Sequence, residues 1–282
     1  MAVRLWADRE RASAEFKAPE AQSTIGVFEA LLGAGLDPKE AARKIVHIYE
    51  PIIRAGGNDS RIGEIWGILC SAVRTLGDSN ELNDRLVQLI VAMKDLPALK
   101  DENGHAIKHE WGGRYWMDLP MWGLTFREYG IFLEPDEDLG EEEWLSQATP
   151  FLNATSFAAK LLSQVPEMKD ISFHAEVCLN EALEGPYETP SPQARASMYI
   201  APAATWILLA GEKIYELCKE NYKRIDGGVN RDGFLWTGTG FSLPRWKFWK
   251  QRLSEISQDT TLEETLRTQA RNASTEMERF EV

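Results

Sequence analysis

Three oxygen-bearing side chains recur at four-residue intervals in one segment of the chain: Glu176, Asn180 and Glu184. In a helix, a rise of about 1.5 Å per residue places them on one stripe about 12 Å long. Carboxylate and amide oxygens are the ligands that Mg²⁺ prefers, and phosphate oxygens of a bound substrate can complete its octahedron. The spacing therefore predicts a magnesium site that holds a diphosphate.

The same stripe has a simpler interpretation as a solvated helix surface, since exposed charge is the usual state of carboxylates. On a helical wheel it lies opposite an apolar face. That face consists of Ile171, Ala175, Cys178, Leu179 and Ala182. Phe173 and Val177 share the polar side and indicate that it is partly covered. Both interpretations stay open from the sequence.

A diphosphate site also needs cationic donors. Four candidates lie at a helix start or in a glycine-rich loop: Arg195, Arg231, Arg245 and Lys250. Arg245 is followed by Trp246 at the start of a helix that carries an aromatic stripe. The alternative role for this arginine is stacking on tryptophan as the helix docks.

The substrate pocket is expected to include aromatic and acidic side chains. Trp206 and Trp246 are expected to contact the substrate, because indole rings can stabilise a carbocation, although large aromatics mostly fill cores. Asp118 precedes Leu119 and Pro120 and could face the cavity as an acid or base; helix capping would also explain it.

Other catalytic signatures are excluded. His105 and His109 are four residues apart, but Glu110 follows the second histidine, whereas a metalloprotease needs it after the first. No motif places a serine or cysteine nucleophile near a histidine. Gly238 and Gly240 are too few for a nucleotide-binding fingerprint.

Composition limits the partners and the compartment. The 282 residues carry a formal net charge of -13, so neither nucleic acid nor an anionic membrane surface is an expected partner. The start of the chain has charges where a secretory signal needs an apolar run. Three widely spaced cysteines, Cys70, Cys178 and Cys218, fit reduced thiols better than disulfides. We expect a cytoplasmic protein.

Apolar spacing throughout is helical, and no segment alternates with the period of a strand. The clearest helix starts are Asp37 followed by Pro38, and Ser242 with Pro244 in the first turn. The predicted fold is all-α, a single-domain bundle of about ten helices over residues 20–282, after a flexible segment over residues 1–19. The later helices are expected near 118–132, from 144, and at 151–164, 170–184, 193–222, 243–257 and 261–279.

Several segments together resemble a known family. They are Trp116-Met-Asp-Leu-Pro120, Asn153 to Leu161, Ala182-Leu-Glu184, Ala203 to Tyr215 and the Arg245-Trp-Lys-Phe-Trp-Lys250 helix start. In this order they resemble a fungal family of helical domains of unknown function that includes the G protein of oxopyrrolidine biosynthetic clusters. The resemblance implies an intracellular fungal protein of natural-product metabolism and brings no catalytic residues.

The leading functional hypothesis is a small-molecule enzyme of fungal natural-product metabolism. The spacing of Glu176, Asn180 and Glu184 is similar to that of the second metal motif of class I terpene cyclases, although the donor types differ in order. This similarity implies Mg²⁺ as cofactor and an apolar or isoprenyl diphosphate substrate. The expected pocket lies among helices near 118–132, 171–184, 197–222 and 243–257. The alternative is a noncatalytic helical interaction or ligand-carrier protein, and a homo-oligomer is left open.

Overall fold

The computed structural model describes residues 1–56, 60–131, 140–165, 167–185, 192–224 and 234–281. Within these ranges the regular structure is helical and no strand forms, so the prediction of an all-α fold is confirmed. Two isolated antiparallel bridges, Lys100 to Ala106 and Lys108 to Arg114, join turns of one loop. No helix in the described ranges combines the length and apolarity needed to span a bilayer.

The chain divides into two compact units, Met1–Leu133 and Glu134–Val282. The described helices of the first unit are α1 (Ala2–Ala12), α2 (Pro19–Gly33), α3 (Pro38–Arg54), α4 (Ser60–Leu76), α5 (Asn80–Lys94), α6 (Trp122–Thr125) and a π-helix (Phe126–Ile131). Helix α3 packs on α2 and α5, and α4 packs on the π-helix. The prediction of one domain over residues 20–282 stays a prediction.

The second unit is built around one long helix. Its described helices are α7 (Glu141–Ser146), α8 (Ala148–Gln164), a 3₁₀ turn (Lys169–Ile171), α9 (Ser172–Leu183), α10 (Pro192–Glu220), α11 (Leu243–Gln258) and α12 (Glu264–Arg279). Helix α10 packs against α8, α9 and α12, and α11 packs against α9 and α12. The short helix α9 also contacts α8, so three helices lie against it, and it has buried side chains on several sides.

Both helix starts with strong local signals are confirmed. Asp37 accepts hydrogen bonds from the backbone N–H groups of Lys39 and Glu40. Ser242 accepts one from the N–H of Arg245 at 3.3 Å. These short polar side chains satisfy N–H groups that have no partner within the helix, which is why each helix begins there.

The N-terminal segment that we expected to be flexible contains helix α1. Trp6 is buried, and its Nε1 donates to Oγ of Ser71 at 3.0 Å. Because the ring of Trp6 packs against Phe28 of α2 and its N–H is satisfied by α4, the helix has a tertiary reason to form.

The helix predicted over 118–132 begins only at Trp122 and continues as the π-helix to Ile131. Leu119 and Met121 have positive φ values of 46° and 65°, which interrupt a right-handed helix until Trp122. Asp118 does not cap this helix, so that expectation was wrong. Its carboxylate instead accepts hydrogen bonds from the backbone N–H and the guanidinium of Arg114 at 2.7 to 2.8 Å.

Candidate functional site

Glu176 and Asn180 lie on one face of α9, and Glu184, the residue directly after the helix, continues that face, which is not solvated. Glu176 and Glu184 are each 1% exposed, and Asn180 is fully buried. The interpretation as a solvated stripe was therefore wrong. The physical reason is that α11 covers this side of α9, which the sequence indicated only through Phe173 and Val177.

Arg245 is the side chain that α11 directs at this face. It lies in the first turn of α11, directly after the Ser242 cap, and is only 1% exposed. A long charged side chain is almost never buried this completely unless it is paired. The start of α11 thus determines where the guanidinium lies in the interior of the second unit.

Every N–H of the Arg245 guanidinium has an acceptor. Nε and Nη2 donate to Oε1 and Oε2 of Glu184 at 2.7 and 2.8 Å, a bidentate pair. Nη2 also donates to Oδ1 of Asn180 at 2.5 Å. Nη1 donates to Oε1 of Glu176 at 2.9 Å and to the carbonyl of Gly240 at 2.6 Å. The five N–H groups that an arginine possesses are all used.

Two further groups complete this cluster, which we call the Arg245 network. Trp249, one turn along α11, donates from Nε1 to Oε1 of Glu184 at 2.6 Å, and its ring lies 5.1 Å from the guanidinium carbon of Arg245. The predicted stacking of Arg245 on tryptophan is therefore confirmed. The N–H of Gly240 donates to Oε1 of Glu176 at 2.7 Å.

Gly240 is in the network because no other residue fits there. Its φ is 77°, and an added Cβ would lie 2.6 Å from the carbonyl oxygen of Tyr222 and from Cγ of Lys223. Only glycine adopts that conformation so close to neighbouring backbone without strain. The glycine thereby lets the loop offer both its N–H and its carbonyl to the network.

The electrostatics of the network favour a permanently charged arginine. Burial alone would lower the pKa of Arg245, but the carboxylates of Glu184 and Glu176 outweigh burial, so its pKa is raised above the ordinary value. The two carboxylates face one guanidinium. Removing that guanidinium would leave both of them buried without a counter-charge.

The guanidinium occupies the centre at which the three donors converge. In the described part of the chain, no group of three or more His, Cys, Asp or Glu side chains is placed to hold a metal ion. The donor types suit Mg²⁺, but their oxygens already accept from Arg245, so magnesium at this place stays a prediction.

The remaining predicted site residues lie elsewhere. Arg195 pairs with Glu181, on a different side of α9 from the network, and its guanidinium carbon lies 5.2 Å from the ring centre of Tyr199. Lys250 pairs with Glu281 near the surface. Arg231 lies outside the described residues.

The two predicted substrate-contacting tryptophans are fully buried in the second unit. Trp246 donates from Nε1 to Oε1 of Glu281 at 3.0 Å, and its ring centre lies 5.1 Å from that of Tyr215. Trp206 lies against the thiol of Cys178, and burial raises the pKa of that thiol to about 12. In these positions both rings act as core residues, and a substrate contact for either stays a prediction.

Sequence analysis missed Gly240 and Trp249 as members of the network. The spacing of Trp249 four residues after Arg245 was a usable signal, because it places both on one face of the helix. The glycine two residues before the Ser242 cap was the other. Neither signal indicates that α9 is the helix that these residues contact.

The fold and the site together define an all-α protein in which a buried arginine joins two helices through carboxylates. Residues 66–253, more than half of the chain, match the sequence model of a family described as "Protein of unknown function (DUF3632)". The chain belongs to this family. No curated protein and no solved structure matches it. A relation to the oxopyrrolidine-cluster protein and a fungal source both stay predictions.

Proposed function

We propose that this protein is a noncatalytic helical binding module, in which the Arg245 network holds the scaffold of the second unit and ligands or partners bind at the surface. The observation that carries the proposal is the complete use of the arginine's five donors inside the protein. A guanidinium with no donor left has none to offer a phosphate, and carboxylates held by it have no reason to bind a cation.

Three clefts formed by described residues are consistent with surface binding. They have volumes of about 420, 300 and 280 Å³ and are all open to solvent. The first lies between α2 and α3, a second lies beside α1 and α4, and a third lies beside α11 and α12. None of them includes a member of the Arg245 network, so the buried charges do not face these openings.

A second candidate is a magnesium-dependent cyclase of an isoprenyl diphosphate, in the fungal natural-product setting that the resemblance implies. One observation favours it: Glu176, Asn180 and Glu184 share a face and converge on one cationic centre. They would hold Mg²⁺, which would supply charge neutralisation for a diphosphate leaving group. For this to happen, the guanidinium must first leave the carboxylates.

A turnover experiment separates the two candidates. Purified protein is incubated with Mg²⁺ and farnesyl or geranylgeranyl diphosphate, and the organic extract is analysed for hydrocarbons by mass spectrometry. The binding module predicts the same extract as a heat-denatured control. Enzyme-dependent hydrocarbon would overturn the proposal and establish the cyclase.

Thermal unfolding with Mg²⁺ plus inorganic diphosphate adds a readout that does not depend on choosing the right substrate. A ligand at 100 times its Kd stabilises the folded state by about 2.7 kcal/mol, which is easily seen as a rise in Tm. We expect no rise. A rise that disappears in Asn180→Ala, with folding retained, would instead support a metal-diphosphate site on α9.

A further inference from the structure

The groove between α2 and α3 has the features of a ligand site, and nothing above assigns it a role. Its volume is about 420 Å³, within the ordinary range of roughly 300–1,000 Å³ for small-molecule pockets. It is lined by Ser23, Val27, Glu40, Arg43, Lys44, His47 and Ile48. The accessible lining is mostly apolar, and its two aliphatic side chains are Val27 and Ile48.

One wall of the groove is cationic. Arg43 and His47 are exposed on α3, one turn apart, and within the described part of the chain no carboxylate pairs with either. Lys44 does have a partner, because its Nζ lies 3.4 Å from Oε1 of Glu40. Arg43 is thus a guanidinium with its donors turned to water at the edge of an apolar groove.

The positive charge on this helix contrasts with the net charge of the chain. The whole protein carries a net charge of -13, yet Lys39, Arg43 and Lys44 cluster on the outer side of a single helix. Local positive charge against a negative background attracts small anions selectively. The groove also precedes residues 66–253, so it is not part of the region that defines the family.

We propose that the α2–α3 groove binds a small amphipathic anion, namely a carboxylate attached to an alkyl or aryl body. The apolar body lies on Val27 and Ile48, where it removes hydrocarbon surface from water. The carboxylate accepts a bidentate pair of hydrogen bonds from Arg43, the geometry that a planar guanidinium favours. His47 borders the same end and can donate one more hydrogen bond.

This inference rests on the proposed function, because it gives the binding module a ligand class. The two can nevertheless fail separately. Hydrocarbon product from an isoprenyl diphosphate would remove the noncatalytic function. Failure of carboxylate binding would remove only the ligand assignment at this groove.

Titration calorimetry with decanoate below its micelle concentration tests the inference, with decanol as the uncharged comparison. We expect saturable binding of decanoate and binding of decanol that is weaker by about tenfold or more, since a hydrogen bond to a charged group contributes about 1.5–3 kcal/mol in other proteins. Equal affinity for the two compounds, or no binding of decanoate, would overturn it.

Two variants locate the binding. Arg43→Gln removes the charge, and Ser23→Phe fills the groove from an exposed position of α2. Lys39→Gln is the matched control, because it removes a charge from α3 outside the groove lining. We expect loss of about tenfold or more in affinity for the first two and no change for the control. Unchanged binding in either groove variant would place the ligand elsewhere and refute the assignment.

An experiment with vesicles distinguishes binding of a dissolved carboxylate from binding to a membrane surface. Neutral phosphatidylcholine vesicles doped with oleic acid are sedimented with the protein. The inference predicts that the protein stays in the supernatant, either alone or with fatty acid that it has extracted from the vesicles. Cosedimentation without binding of dissolved decanoate would contradict a small-molecule site.

Discussion

Arg245 and Glu184 form a bidentate ion pair with both partners 1% exposed, at Nε to Oε1 and Nη2 to Oε2 distances of 2.7 and 2.8 Å. The pair joins the start of α11 to the end of α9. Taking two charges out of water is costly, and such a pair is tolerable only when the remaining hydrogen-bonding groups are satisfied. Asn180, Trp249 and the loop at Gly240 provide those bonds.

The two carboxylates of the network should differ in their tolerance of amides. Both oxygens of Glu184 accept, so Glu184→Gln places an NH₂ against a donor and should lower the free energy of unfolding by about 1–3 kcal/mol. Among the described residues only Oε1 of Glu176 accepts, so Glu176→Gln can keep both bonds and should cost less. Urea unfolding of both variants measures the difference, and equal losses would contradict it.

A close approach in the first unit should make Gly130 intolerant of a side chain. A Cβ there would lie 2.4 Å from Cδ2 of Phe126 and 3.0 Å from Sγ of Cys70, so Gly130→Ala should destabilise the protein by about 1–3 kcal/mol. Gly123→Ala is the control, because its Cβ would meet no atom within 4 Å and alanine favours helix. Similar stability of the two variants in urea would show that the π-helix adapts freely.

All three thiols should be unreactive in the native protein. Cys70, Cys178 and Cys218 are buried and form no disulfide, and burial raises the pKa of each to about 12. The thiolate is the nucleophile, so disulfide reagents should label none of them at mildly alkaline pH and all of them in concentrated guanidinium chloride. Labelling of any cysteine at the rate of a free thiol would contradict this burial.

The Arg114 to Asp118 pair should make a small, acid-sensitive contribution to stability. Hydrogen bonds from the Arg114 side chain and backbone lower the pKa of Asp118 to about 2, below the ordinary 3.8. A lowered pKa in the folded state means that the stabilisation is present above about pH 4 and is lost as the pH falls through about 2. Because the pair is exposed and screened by solvent, we expect this contribution to be small.

Substitution of Asp118 by asparagine tests this dependence. The stability difference between wild type and Asp118→Asn should shrink as the pH falls from about 4 towards about 2. Asp78→Asn is the control, since Asp78 is exposed and makes no hydrogen bond or ion pair within the described ranges. A difference that stays constant over this pH range, or that equals the control, would show that the carboxylate charge plays no part.

Local signals in the sequence were sufficient for the two best-capped helix starts. Asp37 and Ser242 begin helices where predicted because a cap acts on N–H groups only two or three residues away. The region around Asp118 failed for an equally local reason. Positive φ values at Leu119 and Met121 turn the chain, and residues other than glycine give little warning of that conformation.

The sequence predicted the two sides of the site separately but not the contact between them. Four-residue spacing correctly placed Glu176, Asn180 and Glu184 on one face, and the aromatic stripe correctly placed Arg245 beside tryptophan. Their contact depends on α11 packing against α9, which lies more than sixty residues earlier in the chain. Spacing along one helix carries no information about which helix covers it. Oxygen atoms that accept from an arginine therefore have the same spacing in the sequence as oxygen atoms that bind a metal.

The central claim is that Arg245 is the structural counter-charge of two buried carboxylates. The direct measurement is the free energy of unfolding of Arg245→Met, of the same variant combined with Glu176→Gln and Glu184→Gln, and of Arg271→Met as an exposed control on α12. We predict a loss of about 3–5 kcal/mol for the single variant, partial recovery in the triple variant and no change in the control. Wild-type stability of Arg245→Met, or a triple variant less stable than the single one, would contradict the account.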